Sequence, residues 1–92
     1  MREFGNVAPQ LDIVIAAAPK QVKERYGDRA DRYICLEAGH VAQNLLLEAV
    51  PLGLAGVPVG SFDDRSVAQA VGLPAEEVPV YLVPIGYPAV QP

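Results

Sequence analysis

Ninety-two residues with 51% hydrophobic and 20% charged side chains confine the chain to one small domain with little interior. A net charge of −4 and a pI of about 4.7 exclude a nucleic-acid backbone as partner, because phosphate binding needs a basic face. The single cysteine, Cys35, excludes an internal disulfide and a multi-cysteine metal site.

Residues 1–6 lack the basic-then-apolar layout of a signal peptide. Residues 11–18 (LDIVIAAA) then form an apolar, β-branched run between Pro9 and Pro19. Its length predicts one strand, and its two apolar faces predict a central place in the sheet. From Lys20 the pattern turns helical, with Val22 and Tyr26 four apart, until Gly27 breaks it. Lys20, Lys23, Arg25, Arg29 and Arg32 interleave here with Glu24, Asp28 and Asp31, which reads as a solvated, ion-paired surface. Asp28 or Asp31 is placed to cap a longer helix, residues 31–52. Pro51 lacks the N–H needed to continue that helix, and Gly53 offers a left-handed stop.

Residues 55–59 (AGVPV) make a second, short strand, which Pro58 confines to an edge or an interrupted ladder. After the turn at Gly60, Ser61 and Phe62, either Ser61 or Asp63 caps a third helix over residues 64–71, closed by Gly72 and Pro74. A loop at residues 75–77 leads to the last strand, residues 78–85 (VPVYLVPI), with Gly86, Tyr87 and Pro88 turning out of it. The order strand, two helices, strand, helix, strand predicts an α/β or α+β layer of three strands around a long, buried central helix.

That helix carries one polar seam. At about 100° per residue, Glu37, Asn44 and Glu48 lie within about 20° of one line, with Tyr33 and His40 within about 60°. Almost every other position is apolar or small, so several sides need cover. A monomer of this length has too little interior for that surplus, and the remainder implies an oligomer. An aspartate at Leu46 is therefore expected to break the association. Cys35, among Ile34, Leu36 and Ala38, reads as a small buried hydrophobe.

Glu37 and His40 have the spacing that puts a carboxylate and an imidazole on one helical face, as in di-iron bundles. A single such pair supplies too few ligands, so no metal is expected and a buried hydrogen-bonded pair is the simpler reading. Cys35 lies about 140° to 160° round the helix from them and cannot join a triad. Ser61 and Ser66 lack an elbow motif, and neither GxGxxG nor GxxxxGK[ST] occurs. The turn Pro58, Val59, Gly60, Ser61 is more suggestive. Ligands of α/β sheets bind beyond strand C-termini, and a glycine there admits a flat ring to the main chain. An ordinary strand-to-helix turn accounts for the same residues equally well.

Residues 32–45 (RYICLEAGHVAQNL), with Leu52-Gly53-Leu54, residues 59–64 (VGSFDD) and residues 83–88 (VPIGYP), resemble the corresponding segments of the nitroreductase family in the same order. The nearest resemblance is to its SagB-type dehydrogenases. It runs from about Pro9 to Pro88, and the EAGHVAQN block joined to VGSFDD is its specific part.

The resemblance implies a homodimer built through helix 31–52, with FMN bound at the subunit interface. Hydride would pass between NAD(P)H, or a small-molecule substrate, and flavin N5. It also implies that Pro58, Val59, Gly60 and Ser61 lie against the isoalloxazine, with a backbone N–H bonding N5. The redox chemistry then belongs to the cofactor, and the protein positions and tunes it. The early arginine-rich segment with which relatives grip the flavin phosphate has no match in residues 1–9. Residues 1–92 thus correspond to the C-terminal half of the family's domain, and the FMN site needs further polypeptide.

Two other readings stand beside this one. One is a non-catalytic relative that keeps the dimerisation core. The other is a small metal protein using Glu37 and His40. With no apolar stretch of the roughly 18 to 20 residues that span a bilayer and no paired cysteines, a soluble cytoplasmic protein is expected.

Overall fold

The computed structural model describes residues 7–88, with side-chain surroundings from Leu11 onward. Residues 1–6, read above for a signal peptide, lie outside the described residues, as do residues 89–92.

Strand β1 (Val7–Ala17) leads into helix α1 (Pro19–Tyr26). Pro19 occupies the first turn, where its missing N–H costs nothing, and the Gln21 and Val22 N–H groups donate to Ala18 O at 3.1 and 3.3 Å. Gly27, at φ 60°, ends α1 as expected. A 3-10 turn (Gly27–Arg29) then runs directly into helix α2 (Ala30–Ala49). Because that entry is already helical, Arg29 holds the N-cap position, and neither Asp28 nor Asp31 caps α2. Asp31 lies in the first turn, where its charge favours the helix dipole.

Pro51 has the expected effect. The α-helix stops at Ala49, residues Val50–Leu52 tighten into a 3-10 turn, and Gly53 closes it at φ 73°. The Leu54 N–H reaches back to Ala49 O at 2.9 Å. Strand β2 is short (Ala55–Gly56), and helix α3 (Asp64–Val71) ends on Gly72 at φ 71°. There the Leu73 N–H donates to Ala68 O at 3.0 Å. Asp63 holds the N-cap position of α3, but its carboxylate accepts from the Ser66 hydroxyl and from no helix N–H.

Strand β3 (Val78–Pro88) is longer than its sequence suggests. Gly86, Tyr87 and Pro88 were expected to turn away, yet they continue the strand and pair with Pro9, Ala8 and Val7. A partner strand that starts at Val7 holds them extended. The sheet is antiparallel in the order β1-β3-β2, so β3, not β1, is central. Pro84 accounts for the brevity of β2. Its carbonyl faces the β2 side, accepting from the Val57 N–H at 3.1 Å, and its missing N–H falls on that same side. The ladder lapses there and resumes as a single bridge between Val59 and Leu82.

Helix α2 packs on the sheet through small residues, with Ala38, Ala42 and Ala49 all buried. Ala42, Val83 and Ile85 form the core cluster, and Ile13, Ile15, Leu45, Leu46, Leu54 and Tyr81 pack around it. Burying a side chain such as Val83, fully enclosed here, contributes roughly 1.5–3 kcal/mol. The other faces of α2 are open in this chain, where Leu36, Val41 and Leu47 are exposed, followed by Val50 and Leu52. Among the described residues no helix is long and apolar enough to cross a membrane.

Leu46 belongs to the inner face, contrary to the expectation that it marks the association surface. A helix apolar all round gives its periodicity no means of separating Leu46 from Leu47. Leu46→Asp is accordingly expected to unfold the chain, with loss of the cooperative transition in urea followed by circular dichroism. Gly56 sits in the same contact. A Cβ there would lie 2.8 Å from Leu46 Cδ2, 3.3 Å from Ile85 Cγ1 and 3.3 Å from the Pro84 carbonyl oxygen. Gly56→Ala should lower unfolding free energy by about 1–3 kcal/mol in the same experiment.

Candidate functional site

The segment leaving β2 is pinned to the central strand at alternate residues. The Val57 N–H donates to Pro84 O at 3.1 Å and the Val59 N–H to Leu82 O at 2.7 Å, while the Leu82 N–H returns a bond to Val59 O at 3.0 Å. Pro58 and Val59 are half-buried by this arrangement, and Gly60 and Ser61 emerge exposed at its end. The Gly60 and Ser61 N–H groups take no part in the bonds that fix the turn.

Gly60 faces α2 across an open recess of about 330 Å³, lined by Cys35, Ala38 and Gly39 of the helix, Gly60 of the turn, and Val80 and Tyr81 of β3. Two of its walls lack side chains. A Cβ on Gly39 would meet nothing within 4 Å, and one on Gly60 would meet only Tyr81 Cε1, at 4.0 Å. The lining is apolar apart from the cysteine and the phenol, with main chain accessible at both glycines. Such a surface suits a flat, largely apolar ring that also needs hydrogen bonds from backbone N–H groups.

Of the four residues singled out in the sequence, Gly60 alone lines this recess, with Pro58, Val59 and Ser61 flanking it in the chain. Cys35 was expected to be buried but is exposed, because nothing among the described residues covers the helix face that carries it. Sequence reasoning missed Gly39, Val80 and Tyr81. Gly39 did leave a signal, since glycine within a helix costs about 1 kcal/mol relative to alanine and implies a reason of another kind. Val80 and Tyr81 left none, being ordinary strand residues.

Glu37 and His40 are not the buried pair expected of them, for both are exposed. They line a separate recess of about 320 Å³ with Val22, Tyr26, Tyr33 and Leu36. Its rim is aromatic. The Tyr26 and Tyr33 rings meet edge-on at 4.9 Å and 82°, and the Arg25 guanidinium lies 5.6 Å from the Tyr26 centroid. Among the described residues no three His, Cys, Asp or Glu side chains converge as a metal site requires.

Known proteins resemble this chain in sequence and in fold. The family profile described as "Nitroreductase family" matches residues 5–87. A candidate nitroreductase of Methanocaldococcus jannaschii is 42% identical over 83 residues, which are 90% of this chain and 40% of that protein. The crystal structure of a candidate nitroreductase from Anabaena variabilis superposes with a TM-score of 0.78 at 35% identity, over 84% of this chain and 16% of that one. The NADPH:FMN oxidoreductase of Vibrio harveyi, solved with NAD+, gives a TM-score of 0.65 at 24% identity over 88% of this chain and 40% of that one, a likeness of fold. The chain thus spans about two-fifths of the length of the Methanocaldococcus relative.

Proposed function

The chain belongs to the nitroreductase family, and from that premise we propose that it forms one wall of an FMN site in an oxidoreductase. In this reading residues 1–92 act as a partial domain resembling the family's C-terminal half, completed by further polypeptide. The observation that carries the reading is the recess itself. The turn that resembles the family's flavin-contacting segment is clamped to the central strand and presents Gly60 to a helix face thinned to Cys35, Ala38 and Gly39.

The residues present fit the ring of the cofactor. Gly60 lets a planar ring approach the main chain, and the N–H groups of Gly60 and Ser61 have no backbone acceptor among the described residues. Val80 and Tyr81 supply apolar contact in the same lining. Bound there, the flavin would supply hydride chemistry, with NAD(P)H as donor and a small molecule as acceptor. The chain's own contribution is orientation, together with a fixed donor beside the ring and exclusion of water on the side that the recess covers.

We assign association to α2 and the 3-10 turn that follows it, the span expected as helix 31–52, through a homodimer. Leu36 and Leu47 fall within about 20° of one line on α2, and Val50 within about 40°. All three are exposed, at 53%, 60% and 71%. A stripe of this kind is costly to leave in water and suits a copy of itself. The free thiol of Cys35 suits a reducing cytoplasm.

Gly60→Val is expected to abolish flavin binding while leaving the circular dichroism spectrum and urea midpoint unchanged, because a Cβ there meets nothing closer than Tyr81 Cε1 at 4.0 Å. Retained flavin absorbance after purification would show that the turn does not meet the ring. A colourless wild-type protein that forms stable dimers and ignores added flavin would instead favour the non-catalytic dimerisation module. Leu47→Asp should lower the mass measured by light scattering to that of a monomer without unfolding it. An unchanged mass would remove α2 from the interface.

A further inference from the structure

We infer that the flavin site of this chain recognises the isoalloxazine ring and is blind to the phosphate. The inference rests on the reading of the turn as the ring's contact, and it departs from what an FMN site requires. FMN carries a phosphate of about −1.5 to −2 charge at neutral pH, and binding proteins meet such groups with Arg or Lys or with a helix N-terminus. Among the described residues the recess offers none of these.

Among the described residues its lining is uncharged: Cys35, Ala38, Gly39, Gly60, Val80 and Tyr81. Five of the six described cations lie on α1, the following 3-10 turn and the start of α2, all of them exposed. Arg25, one of the five, stands over Tyr26 at the rim of the other recess. The sixth, Arg65, is in the first turn of α3, in sequence directly behind Asp63 and Asp64.

The start of α3 is the natural place for a phosphate, since it follows the turn and its N–H groups point outward. Here the position is already negative. Asp63 stands at the N-cap with its carboxylate accepting from Ser66, and Asp64 occupies the first helical residue. A dianion brought to that end would meet two carboxylates on a chain of net charge −4. The phosphate therefore gains no affinity from the described lining of the recess, which supplies no anchoring cation.

Titration of the 92-residue chain with riboflavin and with FMN, followed by quenching of flavin fluorescence, tests this directly. One guanidinium–phosphate contact would tighten FMN binding on the order of tenfold or more. The expected result is two dissociation constants within about threefold of each other, with FMN binding not weakened by added salt. FMN binding tenfold or more tighter than riboflavin overturns the inference and leaves the ring contact standing. If Arg65→Ala then abolishes the preference, the anchor is Arg65. If Arg29→Ala or Arg32→Ala does so, the anchor is the basic corner, supplied within the chain or by a second copy. Failure of both flavins to bind overturns the inference, because the ring contact in this chain then gives no affinity of its own. Equal binding that survives Gly60→Val does the same, by placing the ring elsewhere.

Discussion

The close seating of one apolar helix on one proline-rich central strand controls everything else in this chain. Helix α2 reaches β3 because its inward positions are alanines, and because Gly56 leaves room for Leu46 between the helix and the sheet edge. That contact fixes the direction in which Cys35 and Gly39 face. With β3 as reference, the bonds from Val57 and Val59 then fix where Gly60 emerges. The recess between them follows from packing and needs no specialised side chain. A small residue on the helix and a glycine on the turn are enough, once both are held to the same strand.

The sequence made the ends of the helices legible, and the reason is steric. Pro19, Gly27, Gly53 and Gly72 each impose or permit a backbone geometry that depends on no distant residue, and each ends or begins an element where it was expected. The antiparallel order of the sheet was out of reach, because it depends on which strands find one another. Apolar residues on both faces suggested that β1 is central, yet β3 with its prolines holds that place. For Pro84 the side on which the proline sits explains how a central strand accommodates it. Pro84 turns its missing N–H toward the weak β2 ladder, and β1 keeps its pairing along nearly the whole strand.

The candidate site was legible in part for a related reason. Gly60 stands out because a glycine directly after a strand marks either a turn or a close approach to the main chain. The faces of α2 did not stand out. Periodicity distinguishes inside from outside only where polar residues mark the outside, and α2 offers one narrow polar seam. Leu46 and Leu47 look alike in such a pattern, yet one packs against the core cluster and the other is 60% exposed. The same ambiguity placed Cys35 in the interior. It also made a buried pair of Glu37 and His40, which in fact open onto solvent beside Tyr26 and Tyr33.

The unfinished core and the uncharged recess are two aspects of a single division of labour. Elements that hold a flat ring are made from backbone and small apolar residues, and these come with the sheet and its helix. Elements that hold a phosphate are made from cations, which a small apolar unit can carry only on its outer surface. In this chain the cations gather at the α1–α2 corner, while the helix beyond the turn begins with two aspartates. In the proposed assembly the exposed stripe at Leu36, Leu47 and Val50 calls for a covering surface, and an FMN phosphate beside the recess at Gly60 would need a charged one. Polypeptide that meets the first need changes the surroundings of α2, the helix that lines the second. Completion of the core and completion of a nucleotide site are therefore coupled through α2 in the proposed assembly.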